Sequence, residues 1–313
     1  MTVPLGSDGL TVSRQGLGCM GMGRSYGPAD DRESVETIRR AVELGVTLLD
    51  TADLYGSADG RPGSNETLVG QAIRPIRDEV VLATKVGFVY DRGERRLCGT
   101  PAYVRAACDA SLRRLGTDRI DLYYLHRVDP ATPLADTVGA LAGLVDAGKV
   151  LHIGLSMVDG AELRAAHAVH PVSAVQSEYS LWRRDIESDV LPAARRLGVG
   201  IVPYSPLGRG FLSGTVAAGD DVGTFRAKLP RFTPDALAAN AYVADAVRAV
   251  ADEVGATAAQ VALAWIHAQG ADMVPIPGTR TRAHLEANVG ALDVVLTPAQ
   301  VDRLDGLAAG VSD

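Results

Sequence analysis

The chain has 313 residues, of which 47% are hydrophobic and 22% are charged. Because these fractions are close to those of average globular proteins, they exclude a disordered or fibrous chain. The 38 acidic and 31 basic residues give a net charge of −7, which disfavours a nucleic-acid or anionic-membrane partner and favours a small molecule.

Short aliphatic runs alternate with longer amphipathic segments along the chain. The runs predict buried parallel strands at 16–20, 47–52, 80–86, 120–126, 150–156, 174–180, 200–207 and 272–279. The amphipathic segments predict helices at 31–45, 64–74, 101–115, 133–147, 159–169, 186–197, 257–269 and 281–290. This order predicts an α/β protein with a (β/α)8 TIM barrel in a single domain, residues 1–313. A doubly wound sheet is the rival, but it usually has about six strands and a glycine-rich turn leading directly into a helix.

Three segments lie outside the repeated units. Residues 4–13 predict an N-terminal β-hairpin that plugs the bottom of the barrel. Residues 208–235 are a long, glycine-rich insert after strand 7, and such inserts are usually functional lids. Residues 296–310 predict a C-terminal capping helix.

Titratable side chains end three neighbouring predicted strands, where barrel enzymes keep their active sites. Asp50 ends strand 2 and Tyr55 follows it, whereas Lys85 and His126 end strands 3 and 4. A nearby ammonium lowers the pKa of a tyrosine, and a carboxylate can hold that ammonium in place. Asp50, Lys85 and Tyr55 can therefore form a proton relay, with His126 as a neutral partner that orients a substrate carbonyl oxygen. Each residue alone is more often structural, but the four together predict an active site.

Two other motifs are weaker. Gly16, Gly18 and Gly21 match the G-x-G-x-x-G dinucleotide fingerprint, but no helix follows directly, so we expect close packing and ligand approach at the end of strand 1. The histidines include no HExxH motif, and His167 and His170 lie on a predicted helix without a clear acidic partner. No metal site is therefore predicted.

Two late segments suit phosphate groups, because barrels commonly bind phosphate after strands 7 and 8. Residues 205–214 offer backbone N–H groups with little side-chain obstruction. Residues 276–288 place Gly278, Thr279 and Arg280 at a helix start, which favours an anion. Arg280 and Arg282 could hold an extra phosphate, since cations at a helix N-terminus are otherwise slightly unfavourable.

Along nearly its whole length the chain resembles the aldo-keto reductase family. The resemblance rests on LLDTADLYG (48–56), SNETLVGQAI (64–73), ATKVG (83–87), LYYLHRVDP (122–130), GKVLHIGLS (148–156), VQSEYSLW (175–182), YSPLGRGFL (204–212) and IPGTRTRAHLEAN (276–288). The segments SEYSLW and SPLGRGFL resemble the corresponding segments in the bacterial and plant branch of this family. The resemblance implies a TIM barrel and reversible, NADPH-dependent reduction of an aldehyde or ketone, with NADPH expected over NADH.

The resemblance also implies roles for individual residues. Tyr55 would be the general acid of the tetrad already described. The cofactor would contact Ser156, Gln176, Tyr204, Ser205, Leu207, Gly208, Gly210, Leu212, Gly278, Thr279, Arg280 and Asn288. Substrate contacts are expected near the barrel opening, from Met22, Tyr26, Leu54, Phe88 and Trp182, and from Phe211, Phe225 and Phe232 of the insert.

Two positions depart from the pattern of the family. Met157 stands where many relatives have Asn or Glu, and it cannot accept the same hydrogen bond. His284 stands where many have an arginine for the 2′-phosphate, so a preference for NADPH must rest on Arg280 and Arg282.

Alternative functions and the cellular setting complete the expectations. One alternative is a cofactor-binding regulatory protein, similar to channel β-subunits, with little turnover; the intact tetrad disfavours it as the sole role. The other is a phosphate-handling lyase or isomerase with Lys85 as a Schiff-base amine, although Asp50 should keep Lys85 charged. The chain shows no signal peptide, no membrane-spanning run and no CxxC pair among Cys19, Cys98 and Cys108, so a cytoplasmic monomer or homo-oligomer with reduced thiols is expected.

Overall fold

A parallel sheet forms the centre of the molecule, of which the computed structural model describes residues 2–91 and 94–307. The strands are β1 (Thr2–Pro4), β2 (Thr11–Ser13), β3 (Leu17–Gly18), β4 (Leu48–Asp50), β5 (Val81–Val86), β6 (Phe88–Asp91), β7 (Glu94–Leu97), β8 (Ile120–Leu125), β9 (Val150–Ser156), β10 (Ala174–Glu178) and β11 (Gly200–Tyr204). The parallel sheet has the order β11, β10, β9, β8, β5, β4, β3. Every residue of β8 is buried, as expected for a sheet covered on both faces.

The segment 272–279 closes this sheet into a TIM barrel. The backbone N–H groups of Val274 and Ile276 donate to β11 at 2.9 and 3.0 Å. The carbonyl oxygens of Pro275 and Pro277 accept from the backbone around β3 at 2.9 and 3.2 Å. The predicted eighth strand is therefore an extended closing segment with isolated bridges, because its prolines cannot donate to a regular ladder.

Helices surround the barrel. They are α1 (Asp31–Glu43), α2 (Ser64–Ile73), α3 (Pro101–Leu115), α4 (Leu134–Asp146), α5 (Gly160–Val169), α6 (Val190–Leu197), α7 (Gly223–Arg226), α8 (Pro234–Val254), α9 (Ala258–Ala268), α10 (Arg282–Val289) and α11 (Pro298–Asp305). All of them except α7 and α8 lie where the sequence predicted a helix. α6 begins later than predicted, after a 3-10 turn at Asp185–Ser188. α11 is the predicted capping helix, and positions 308–310 of that prediction lie outside the described residues. Among the described residues, no helix has the length and apolar character needed to cross a bilayer.

The N-terminal hairpin covers the bottom of the barrel, as predicted. β1 and β2 pair antiparallel. Leu5, Leu10 and Val12 are buried in the barrel interior, against residues such as Leu48 and Leu122. Burial of each such side chain contributes about 1.5–3 kcal/mol to stability. The hairpin thus covers the end of the barrel opposite the carboxyl ends of the strands.

The hairpin β6–β7 and the helices α7 and α8 were absent from the sequence-based prediction. The antiparallel hairpin β6–β7 extends from the end of β5, and its charged second strand is exposed, so no alternation of burial marks it. The helix α8 directly follows the insert; it begins with Thr233 as N-cap and Pro234 at the first helical position. Its buried positions Leu237, Val243 and Val247 follow a helical period.

Candidate active site

The carboxyl ends of the parallel strands bring the predicted catalytic residues together. Asp50 is the last residue of β4 and Lys85 lies at the end of β5, which pairs with β4. His126 follows β8, which pairs with β5. The proposed catalytic side chains thus come from three consecutive strands of the barrel and meet at its mouth.

A buried ion pair lies at the floor of the site. Lys85 is fully buried, and its Nζ donates to Asp50 Oδ1 at 2.5 Å and to the carbonyl oxygen of Thr51 at 2.8 Å. The other carboxylate oxygen, Asp50 Oδ2, accepts from Gln176 Nε2 at 2.8 Å. Burial lowers the pKa of Lys85, but the charges and hydrogen bonds of Asp50 and Tyr55 raise it above its usual value. Lys85 is therefore an ammonium, which does not suit the neutral amine of a Schiff-base mechanism.

Tyr55 lies in the loop after β4, against the lysine. The Lys85 Nζ atom is 5.1 Å from the centroid of the Tyr55 ring. The Tyr55 carbonyl oxygen accepts from the backbone N–H groups of Gly63 and Asn65 at 3.0 and 3.2 Å, which fixes the loop. Burial raises the pKa of Tyr55 more than the Lys85 ammonium lowers it. The net shift is thus opposite to the one expected from the ammonium alone, and it keeps the phenol protonated at neutral pH.

His126 is buried beside Tyr55. Their ring centroids are 5.9 Å apart with the planes at 87°, and the Phe88 ring lies 5.2 Å from His126 at 85°. Burial lowers the pKa of His126 well below its usual value, and the positive charges of Lys85 and Arg127 act in the same direction. His126 is therefore the neutral imidazole that the sequence predicted.

The residues expected at the nicotinamide also lie together. Ser156 is buried at the end of β9, and its Oγ accepts from Arg127 Nη1 at 3.4 Å. The Tyr204 hydroxyl donates to Met157 Sδ at 3.2 Å, and the Met157 backbone N–H donates to Gln176 at 3.0 Å. Met157 has a positive φ of 52°, so the chain turns sharply after Ser156.

The loop after β11 contains several residues with a left-handed backbone. Positive φ values occur at Ser205, Gly208, Arg209 and Gly210, at 50°, 55°, 57° and 103°. Turn conformations of this kind bring successive backbone N–H groups to one concave side. Ser205 and Arg209 are non-glycine residues, for which a positive φ is unfavourable. Leu212, also predicted here, is fully buried, and Leu207 is partly buried against the core.

The segment at the start of α10 separates two arginines that the sequence had grouped. Arg280 Nη1 donates to the Tyr26 carbonyl oxygen at 3.2 Å. Arg282 instead pairs with Glu33 and Glu36 of α1, each at 3.2 Å. Gly278, Thr279 and Asn288 lie on the same segment; Thr279 and Asn288 are buried.

The glycine motif near β3 has a packing role. A Cβ atom at Gly16 or Gly18 would lie 2.8 or 2.9 Å from atoms of Ile276. Gly18 also forms a parallel bridge with Gly278. These glycines therefore let the closing segment approach β3.

The predicted substrate residues occupy different places. Phe88 touches His126, whereas Met22 is fully buried in the core rather than at the opening. Trp182 is buried and stacks on Phe211 at 4.0 Å, with Phe232 at its edge. Leu54 is partly buried in the loop that carries Tyr55.

The insert reaches over the end of the closing segment to the loop that follows β3. Phe225 of α7 packs edge-on against Tyr26 at 5.3 Å, and the Arg226 guanidinium lies 4.9 Å from the centroid of the Tyr26 ring. Tyr26 belongs to the loop between β3 and α1, and only the closing segment lies between β3 and β11. The insert therefore forms a cover over the segment between Arg280 and the loop after β11.

Several arginine side chains at the mouth were not included in the sequence-based prediction. Arg127 donates to the His126 carbonyl oxygen at 2.7 Å. Arg209 and Arg231 pair with Glu178 at the end of β10. A signal for Arg127 was present, since it directly follows His126 in the sequence; Arg231 comes from the insert, whose path has no periodic pattern.

The fold is that of a TIM-barrel enzyme with its polar residues at the carboxyl ends of the strands. Residues 15–309 match the model of the Aldo/keto reductase family. The chain therefore belongs to this family of carbonyl oxidoreductases, which use nicotinamide cofactors.

Two solved structures are similar over nearly the whole chain. The glycerol dehydrogenase AKR11B4 from Gluconobacter oxydans is 25% identical, with a TM-score of 0.87 over 98% of this chain and 94% of that chain. The thermostable aldo-keto reductase Tm1743, solved with the inhibitor epalrestat, is 28% identical, with a TM-score of 0.79 over 98% and 100%.

Proposed function

We propose that the protein reduces an aldehyde or ketone to an alcohol by hydride transfer from NADPH, in the cytoplasm, with Tyr55 as general acid. The observation that carries this proposal is the buried Lys85–Asp50 pair against the Tyr55 ring, beside a neutral His126. Membership of the family supports the reaction class.

The four side chains divide the work as follows. The protonated Tyr55 hydroxyl donates its proton to the carbonyl oxygen as negative charge develops there. His126 is neutral, so it can donate an N–H hydrogen bond to the same oxygen without competing for the proton. The Lys85 ammonium stabilises the tyrosinate that remains, and Asp50 keeps Lys85 charged and in place.

The late segments fit a dinucleotide. The left-handed turn after β11 suits a pyrophosphate, and no residue of the described chain offers Arg280 a carboxylate partner, which leaves its charge for a 2′-phosphate. Ser156 and Gln176 would hold the carboxamide, and Tyr204 would stack on the nicotinamide. Bound there, the cofactor supplies the hydride, and the chain supplies position and proton.

Replacement of Tyr55 by Phe tests the mechanism. Tyr55→Phe keeps the ring but removes the proton donor, so kcat for an aldehyde should fall at least about 100-fold. NADPH affinity, measured by fluorescence titration, should stay within about twofold because no cofactor contact is lost. Unchanged turnover in this variant would contradict the assignment of Tyr55.

Two outcomes would redirect the proposal. Tight NADPH binding by the unaltered protein without turnover of any carbonyl would favour a cofactor-binding regulatory role. The similarity to a glycerol dehydrogenase motivates an assay in the oxidative direction, with glycerol and NADP+. Faster oxidation than reduction under matched conditions would reverse the proposed direction.

A further inference from the structure

The hairpin β6–β7 has two faces of different character. In its antiparallel register Phe88 lies opposite Leu97, and Tyr90 lies opposite Arg95. Because side chains alternate between the faces of a strand, these four residues share one face. Arg96, the neighbour of Arg95, points to the opposite face.

The first face leads directly to the active site. The Arg95 guanidinium carbon lies 4.8 Å from the centroid of the Phe88 ring, and the Phe88 ring packs edge-on against His126. A single aromatic ring thus separates the guanidinium from the imidazole proposed to orient the carbonyl oxygen. An arginine that lies over an aromatic face keeps the N–H groups in the plane of its guanidinium available for hydrogen bonds.

This face is both apolar and positively charged. Tyr90 and Leu97 are 50% and 38% exposed, although both are large hydrophobic residues. Among the side chains that the structure describes, no carboxylate pairs with Arg95 or with Arg127, the residue that follows His126. The mouth therefore carries unneutralised positive charge in a protein whose net charge is −7. Such a local field attracts anionic ligands into a cleft.

We propose that Arg95 selects carbonyl substrates that carry a carboxylate, with the apolar body of the substrate on the face formed by Phe88, Tyr90 and Leu97. The inference rests on the proposed function, since it concerns the substrate of the same site. Guanidinium and carboxylate match in geometry and charge, and the exposed apolar side chains match the body of an aryl or alkyl aldehyde.

A matched pair of substrates tests the proposal. 4-Formylbenzoate and its methyl ester carry the same aldehyde but differ in charge. The unaltered protein should show a higher kcat/KM for the carboxylate, and added salt should reduce this preference by screening. Arg95→Gln should lower kcat/KM for the carboxylate about fivefold, which corresponds to about 1 kcal/mol for a partly exposed ion pair. In the same variant kcat/KM for the ester should change less than about twofold, since the ester makes no ion pair.

Arg96→Gln is the control, because it removes the same charge from the opposite face, where Arg96 lies 3.8 Å from Glu94. It should leave kcat/KM for both substrates within about twofold of the value for the unaltered protein, because salt screens the charge on the opposite face. No preference for the carboxylate, or equal losses on both substrates in Arg95→Gln, would overturn the inference.

Failure of the proposed function gives a different result. If neither aldehyde is turned over, the reductase proposal is wrong, and calorimetric binding of 4-formylbenzoate to the same variants decides the inference. Binding that weakens in Arg95→Gln but not in Arg96→Gln supports it; binding that is undetectable or independent of Arg95 overturns it.

Discussion

Lys85 can remain charged in the barrel interior because its partners replace water. Its ammonium contacts Asp50 and the Thr51 carbonyl oxygen, and Asp50 in turn accepts from Gln176. A buried ion pair is stable only when its remaining hydrogen-bonding capacity is also satisfied. Gln176 holds Asp50 in this way, and we propose that the same side chain also contacts the carboxamide of the cofactor.

Strand ends in the sequence were sufficient to place Asp50, Lys85 and His126 at the same end of the barrel, because the parallel strands of a barrel end on one face. The direction of long side chains could not be predicted in the same way. Arg282 was grouped with Arg280 by its position, but two glutamates of α1 attract its guanidinium. Such pairing depends on helices that are distant in sequence.

This difference between the two arginines predicts the cofactor preference. Arg280→Gln removes the cation proposed for the 2′-phosphate, so NADPH affinity should fall about tenfold, as for the loss of a charge-assisted hydrogen bond. The affinity for NADH, which lacks this phosphate, should change by less than about twofold. Arg282→Gln is the matched control and should leave both affinities nearly unchanged. Fluorescence titration of the unaltered protein and both variants measures the affinities for NADPH and NADH, and an equal loss for the two cofactors in Arg280→Gln would contradict the assignment.

At the level of elements, periodic and buried segments were predicted well, whereas exposed or irregular ones were not. The predicted bounds of α3, 101–115, agree with the structure, where Pro101 starts the helix and Gly116 ends it with a positive φ of 65°. The hairpin β6–β7 was missed because its second strand is entirely exposed. The eighth strand was predicted as regular, but Pro275 and Pro277 reduce it to a closing segment.

The N-terminal hairpin should contribute to stability without contributing to catalysis. Leu5 is fully buried at the bottom of the barrel, at the end opposite the proposed active site. Leu5→Ala should lower the free energy of unfolding by about 2–5 kcal/mol, measured by urea denaturation, while kcat at a temperature where the variant is folded stays within about twofold. Thr2→Ala changes an exposed residue of the same hairpin and should alter stability by less than about 0.5 kcal/mol. A large loss of kcat in a folded Leu5→Ala protein would show that the hairpin also shapes the site.

At the scale of the whole molecule, closure of the barrel joins the ends of the chain. The closing segment near residue 275 bonds to the backbone around β3 and to β11, and α11 packs near α9, where the Trp265 indole donates to Asp305 Oδ1 at 2.9 Å. No strand of the barrel can leave without breaking hydrogen bonds on both of its edges. We therefore propose that residues 1–313 form one domain and unfold as one cooperative unit.

The two tryptophans can test this cooperativity because they report on different parts of the chain. Trp182 is buried beneath the insert at the mouth, and Trp265 is buried in α9. In Trp265→Phe only Trp182 remains, and in Trp182→Phe only Trp265 remains, so fluorescence in each variant follows one region. Within each variant the fluorescence midpoint in urea should coincide with the midpoint of far-ultraviolet circular dichroism, since a single transition exposes the tryptophan and unfolds the secondary structure. An earlier fluorescence transition for Trp182 alone would show that the mouth and its insert unfold before the barrel, as a unit of lower stability.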